Sequence, residues 1–218
     1  MKSNFQNCDI IWPTLIFHYN YENYDTDKDE LIKEIYAKSK KQQHDIESNV
    51  TPHLKENLKE SKFNLFEADT PAISKLREFW ANSCKHLISQ GLPNSGVWRL
   101  KENKQITFSI QESWYHITNN KGYHLAHTHP FSWAGIFYVQ AQNCNEKNGY
   151  NTWYNWNQIH SDPSDIGNDW ATDNTRYQIK PQEGSLVLFP GWVPHDALPY
   201  QGDKDRIVVS ANTKFMYA

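Results

Sequence analysis

The periodicity of hydrophobic and polar positions divides the chain into two parts. From Val97 onward, short apolar or alternating runs are separated by Gly, Asn and Pro, which is typical of β-strands joined by turns. About eight strands in succession, preceded by helices, predict a mainly β fold, an antiparallel double-sheet jelly roll with supporting N-terminal α-helices. The runs cover residues 97–101, 105–118, 123–129, 132–141, 150–157, 176–180, 184–189 and 206–216.

The N-terminal part carries apolar residues at helical spacing. Residues 27–41 place Leu and Ile on one face behind a cap at Thr26 or Asp27, which predicts an amphipathic helix. A second helix is predicted to begin after an N-cap at Thr70 and to end before Gly91. Both helices are expected to pack against the barrel.

Two other N-terminal segments are less regular. Residues 9–21 predict a strand, and the proline near its start favours an edge position. Residues 42–69 show no clear period, so we expect a loop with short helical pieces. We treat residues 1–218 as a single domain, with 1–96 supporting a jelly-roll core at 97–218.

Composition restricts the expected partners. A net charge of −3 at pH 7 provides no basic field, so we expect no nucleic-acid partner. The three cysteines, Cys8, Cys84 and Cys144, are odd in number and lack C-x-x-C spacing, which indicates a reducing, cytoplasmic setting. The apolar run at 10–17 is short and interrupted by proline, so we expect neither a signal peptide nor a membrane partner.

The candidate chemistry begins with the stretch 122–130, which holds three of the ten histidines. His127 and His129 form a His-X-His pair, and side chains two apart in a strand point to the same face. Both imidazoles can therefore reach one metal ion, for which imidazole is the commonest ligand. By itself such a pair is more often two ordinary half-exposed strand histidines than a metal site.

Support comes from the C-terminal part of the chain. The segment 184–195 predicts a buried strand, a Pro-Gly turn and then His195, which such a turn would bring back across the barrel mouth as a third ligand. Arg206 opens the next strand, where period-two alternation places it on one face with Val208, Ser210 and Asn212. An arginine on this polar face can bind a carboxylate with both arms of its guanidinium.

Together these motifs resemble the Fe(II)/2-oxoglutarate oxygenase superfamily. The segments HTHPFSWAGIFYVQ, EGSLVLFPGWVPH and RIVVSAN are most similar to a family of 2-oxoglutarate-Fe(II) oxygenases known mostly from bacterial and phage genomes. The resemblance covers roughly residues 105–213. It departs from the superfamily at His129, where a carboxylate is usual, and at Val208, where a serine is often found.

The resemblance implies a dioxygenase that uses Fe(II), 2-oxoglutarate as co-substrate and O2. In that scheme His127, His129 and His195 bind the metal, Arg206 holds the distal carboxylate of 2-oxoglutarate, and Ser210 and Tyr138 assist as hydroxyl donors. The implied outcome is oxidative decarboxylation to succinate and, by default, hydroxylation of an unactivated C–H bond.

The substrate is expected to be a small polar metabolite, an amino acid or a peptide side chain. The polar, aromatic-rich stretch from about 142 to 180 is predicted to be a lid bearing contacts to it. The sequence gives no indication of oligomeric state.

Two other functions remain open at this point. A three-histidine cupin-type oxygenase that does not use 2-oxoglutarate fits the spacing of Gly184, Pro190 and His195, but lacks the expected glutamate after the first pair and gives Arg206 no role. A non-enzymatic jelly-roll module with a structural metal or none would use the aromatic loop to bind sugar or protein.

Overall fold

The computed structural model describes residues 14–42, 55–94, 105–155 and 176–218. In these parts of the chain, the strands form one curled antiparallel sheet in the order β1-β7-β4-β9-β3-β8-β5-β6, with β2 added on β3. The strands are β1 Phe17–Asn20, β2 Lys55–Glu60, β3 Ile106–His127, β4 Trp133–Gln140, β5 Asn151–Tyr154, β6 Arg176–Ile179, β7 Ser185–Pro190, β8 His195–Tyr200 and β9 Arg206–Tyr217. The predicted strand at 97–101 lies outside the described residues.

Strand β3 belongs to both layers of the jelly roll. Its first half, Ile106 to Thr118, pairs with β9, and its last part, Gly122 to His127, pairs with β8. The chain bends between these parts, where Asn120 and Lys121 have positive φ angles of 51° and 61°. One layer is therefore β1-β7-β4-β9-β3 and the other is β3-β8-β5-β6, which confirms the predicted double-sheet architecture.

Strand β9 separates two hydrophobic cores. Ile207, Val209 and Ala211 face outward and pack with residues of the N-terminal helices, as their period-two spacing predicts. Val208 faces inward and packs with Tyr138 and other residues inside the barrel. The alternation along one strand thus produces an outer core against helices and an inner face around the barrel interior.

The two predicted helices are present with different ends. Helix α1, Tyr24–Gln42, begins before the predicted cap, because the carbonyl of Asn23 accepts the N–H groups of Thr26 and Asp27. Asp27 instead pairs with Lys75 at 2.6 Å, which ties α1 to helix α2, Pro71–His86.

Gly91 does not end the second helix, because the chain continues as a π-helical segment, Leu87–Gly91, and a last turn, Leu92–Asn94. A Cβ at Gly91 would lie 2.9 Å from the ring of Phe17, so the glycine allows β1 to approach the helix. None of the described helices has the length and apolar character needed to cross a membrane.

Two strands were not predicted from the pattern. β2 lies in the segment expected to be a loop, and its sequence KENLKE has a single apolar residue because it is an edge strand paired only with β3. β8 contains Asp196 and Pro199, which weaken the strand pattern, yet it pairs with β3 on one side and β5 on the other. Pairing with neighbouring strands therefore outweighs local propensity in both cases.

Candidate metal centre and co-substrate pocket

Three histidines meet at the mouth of the barrel. His127 ends β3 and pairs directly with His195, the first residue of β8. The N–H of His129 donates to the carbonyl of Gly191 at 2.8 Å, which fixes the loop after β3 against the turn before β8. A Cβ at Gly191 would lie 2.1 Å from the carbonyl oxygen of Phe131, so this close approach requires glycine. As a result, ligand atoms of the three side chains all lie within 4.8 Å of one another.

The hydrogen bonds of these rings leave nitrogen lone pairs free. The Nδ1 atoms of His127 and His195 lie 2.8 Å and 3.2 Å from the carbonyl oxygens of Leu125 and Val193. Because a carbonyl only accepts, each Nδ1 carries the proton and each Nε2 keeps its lone pair. The Nε2 atoms of His129 and His195 are 3.3 Å apart, close to the ~3 Å between neighbouring nitrogen ligands about 2.1 Å from one metal ion.

The electrostatic environment keeps the imidazoles neutral. Burial lowers the pKa of His127 to about 4. Burial, and secondarily the neighbouring imidazoles, lower the pKa of His129 to about 3 and hold the pKa of the buried His195 well below its usual value. Neutral imidazole is the form that binds a metal, so the three side chains are prepared for one at physiological pH.

His124 lies beside the triad, although simple alternation would turn it away. The pairing register shifts between His124 and His127, and the two rings have centroids 3.8 Å apart. His124 is 8% exposed, and its Nε2 has no hydrogen-bond partner among the described residues. Behind it, His116 contacts Glu60 of β2 at 2.7 Å, so the edge strand missed in the sequence contributes to the barrel wall.

Arg206 lies inside the barrel, where it is 2% exposed. Its Nη2 donates to the Oδ1 of Asn151 at 2.6 Å, and its guanidinium lies 5.7 Å from the centre of the Tyr138 ring. Its Nε has no partner, and no carboxylate of the described residues forms an ion pair with it. A buried cation without a counter-charge is costly, so this pocket is suited to an anion.

The two hydroxyl groups predicted to assist Arg206 lie on the same inner face. The Tyr138 hydroxyl donates to Asn151 Oδ1 at 3.0 Å, which places it beside the guanidinium. Ser210 is 7% exposed and lies opposite Trp114 and Ile136.

Asn151 was not selected from the sequence, where it is one of many asparagines in an aromatic-rich stretch. Its period-two relation to the buried Trp153, within the predicted strand 150–157, was the available signal. Strands β5 and β6 occupy the ends of the predicted lid, while residues 156–175 lie outside the described residues, so a lid there stays a prediction.

Residues 112–212 match the model of a family described as "Putative 2OG-Fe(II) oxygenase", and this range contains the three histidines and Arg206. The match covers just under half of the chain and identifies this range as part of an Fe(II)- and 2-oxoglutarate-dependent oxygenase. The cofactors of that family are Fe(II), 2-oxoglutarate and O2. The ligand atoms of the three imidazoles are close enough to share one metal ion, and the Nε of Arg206 has no hydrogen-bond partner among the described residues. No curated protein sequence matches the chain.

Several solved structures share the fold of this chain. A prolyl hydroxylase from Trichoplax adhaerens, in complex with a hypoxia inducible factor peptide fragment, is 14% identical, with a TM-score of 0.59 and coverage of 91% of this chain and 83% of that one. A Pseudomonas putida prolyl-4-hydroxylase is 12% identical, with a TM-score of 0.54 and 91% coverage of both chains. HygX from Streptomyces hygroscopicus with nickel and 2-oxoglutarate bound is 8% identical, with a TM-score of 0.57 and coverage of 92% and 83%.

Proposed function

We propose that this oxygenase hydroxylates an amino acid, a peptide side chain or another small polar molecule, with His127, His129 and His195 as the iron ligands and Arg206 as the anchor of 2-oxoglutarate. The observation that carries the proposal is the combination of two features in one barrel. Three neutral imidazoles converge within 4.8 Å at the mouth, and a buried guanidinium without a counter-charge lies in the interior.

Each part of the chain has a distinct role in the proposed reaction. When bound, Fe(II) with 2-oxoglutarate and O2 supplies the oxidising equivalent, so that one oxygen atom enters the substrate C–H bond and the other enters succinate as CO2 is lost. The backbone carbonyls of Leu125 and Val193 hold the ligand tautomers. Arg206 orients the co-substrate, and the apolar inner core limits water around it.

The histidine at position 129 changes the charge balance of the centre. Three neutral ligands leave the metal with its full 2+ charge, whereas a carboxylate ligand would cancel one unit. The doubly charged co-substrate would therefore neutralise the complex, so an all-histidine ligand set favours its binding. The cupin-type alternative without 2-oxoglutarate is disfavoured because it leaves the buried Arg206 without an anion.

The segments that carry the three histidines also carry exposed apolar side chains. Trp192 is 55% exposed in the turn between β7 and β8, directly after the Gly191 that binds the His129 backbone. Leu125, two residues before His127, is 47% exposed. Exposed apolar side chains in these segments suit a substrate such as an amino acid or a peptide residue. The similarity to a prolyl hydroxylase with a peptide bound is consistent with this substrate class.

The proposal is tested by incubating the purified protein with Fe(II), 2-oxoglutarate, O2 and panels of amino acids and short peptides. We expect succinate to form in step with a 16 Da mass increase of one substrate, and both signals to be lost after chelation of iron or in the His129→Ala variant. Substrate oxidation that proceeds without consuming 2-oxoglutarate would contradict the proposal and favour the cupin-type reaction.

A further inference from the structure

Buried polar atoms without partners are concentrated inside the barrel. Among the described residues, seven such side-chain atoms occur, and five of them belong to side chains on the inner face. These five are Thr118 Oγ1, His124 Nε2, Trp153 Nε1, Arg206 Nε and Asn212 Oδ1. Since folded proteins satisfy nearly all buried polar groups, a set of exceptions on one inner face indicates a polar ligand.

Thr118 stands out in this cluster because of its position. It lies directly opposite Arg206 in the β3–β9 ladder, so the two side chains share the inner face and start from neighbouring backbone positions. Thr118 is 3% exposed, and both its hydroxyl and the Nε of Arg206 lack a partner among the described residues. Two unpartnered donors on facing residues of one ladder suit the two oxygens of one carboxylate.

Strand β9 provides no hydroxyl near this point. The next inner residue after Arg206 is Val208, which is apolar and packs in the inner core. Ser210 follows a further two residues along and lies opposite Trp114, away from the Thr118–Arg206 pair. The Tyr138 hydroxyl of β4 lies beside the guanidinium but already donates to Asn151, so the neighbouring strand β3 supplies a hydroxyl that is still without a partner.

We propose that Thr118 is a co-substrate-binding residue whose hydroxyl donates a hydrogen bond to the same distal carboxylate that Arg206 binds. The inference rests on the proposed function, because it takes the anion in the barrel to be 2-oxoglutarate. The hydrogen bond to the distal carboxylate would then come from β3, and not from the β9 segment that begins at Arg206.

The test compares Thr118→Val with Thr118→Ser and with Thr213→Val. Valine has the shape of threonine without the hydroxyl, and serine keeps the hydroxyl. Thr213 is buried to 1% exposure but lies in register with Ile110 and Trp133 of the outer core, so it provides the same chemical change on the other face. Binding of 2-oxoglutarate to the anaerobic Fe(II) protein is measured by titration of the absorbance or heat change, alongside 2-oxobutyrate, which lacks the distal carboxylate.

We expect Thr118→Val to weaken 2-oxoglutarate binding about tenfold and to leave 2-oxobutyrate binding unchanged, because a hydrogen bond to a charged group is lost. Thr118→Ser and Thr213→Val should bind like the wild type. The melting temperature of the ligand-free Thr118→Val protein should stay the same or rise, since an unpaired buried hydroxyl is removed.

The inference is overturned if Thr118→Val binds 2-oxoglutarate as tightly as the wild type while Arg206→Met loses binding. An equal loss for both oxo acids would also overturn it, since that outcome indicates a general structural effect. If the Arg206→Met variant keeps full affinity as well, the proposed function itself fails.

Discussion

Between Arg206 and Asn212, the two faces of β9 differ in how completely their buried polar groups are paired. In this stretch the outer face consists of Ile207, Val209 and Ala211, which are apolar and pack against the helices. The inner face carries Arg206 and Asn212, each with a buried polar atom that has no partner among the described residues. Both faces belong to the same strand and alternate residue by residue, so neighbouring residues on one backbone serve packing and ligand binding in turn.

The difference shows how the fold separates stability from function. Packing on the outer face contributes to the free energy of unfolding whether or not a ligand is bound. Polar groups on the inner face cost free energy until a ligand pairs with them. We therefore expect changes on the outer face to act on unfolding, and changes on the inner face to act on ligand binding and its pH dependence.

The largest expected effect concerns the metal-free centre in acid. The pKa values of His127, His129 and His195 in the folded protein lie below the 6.5 of the unfolded chain, so below pH 6.5 the unfolded state binds more protons. The free energy of unfolding is therefore highest above pH 6.5 and decreases as the pH drops. The decrease is about 1.4 kcal/mol per pH unit for each histidine, or ~4 kcal/mol per pH unit for the three together. The contribution of His127 to this decrease ends near pH 4, its pKa in the folded protein. Urea unfolding of the metal-free protein between pH 7 and 5 measures the slope.

A variant of one histidine attributes the slope to the centre. His129→Gln should reduce the slope by about 1.4 kcal/mol per pH unit. A divalent metal bound to the three imidazoles should remove most of the slope, because bound metal excludes the protons. A slope that the His129 variant does not alter would show that this imidazole is not held neutral by the fold.

A smaller effect is expected from the outer core. Phe137 is fully buried and its ring contacts Tyr21, Tyr24 and Phe79. Phe137→Ala should lower the free energy of unfolding by about 3 to 5 kcal/mol through lost burial and a cavity. At temperatures where the variant is folded, its affinity for 2-oxoglutarate should equal that of the wild type. A large loss of affinity in the folded variant would mean that the two faces are not independent.

Most of the fold could be predicted from periodicity. Alternation in β9 correctly assigned Ile207, Val209 and Ala211 to one face, and the succession of short runs indicated the jelly roll. The edge strand β2 could not be predicted. It pairs with β3 along one edge and faces solvent along the other, so it keeps a polar sequence, KENLKE. The residue Glu60, which contacts His116, was missed with it.

The candidate site was predictable only in part. His127, His129 and Arg206 could be selected from their residue types and spacing. The positions of His124, Asn151 and Thr118 depend on pairing between strands that are distant in sequence. His124 joins the triad through a register shift, and Asn151 reaches Arg206 from β5. A bulge and a cross-barrel contact of this kind have no signature in the local pattern.

The central claim is that the inner face binds the anionic co-substrate through Arg206, and it is tested most directly by titrating 2-oxoglutarate into the anaerobic Fe(II) form of the wild type and Arg206→Met. We expect binding to weaken by about 1.5 to 3 kcal/mol, tenfold or more, because a charge-assisted contact is lost. The free energy of unfolding of the ligand-free variant should be unchanged or higher, since an uncompensated buried charge is removed. Unchanged 2-oxoglutarate affinity, or a loss of stability as large as that of Phe137→Ala, would contradict the account.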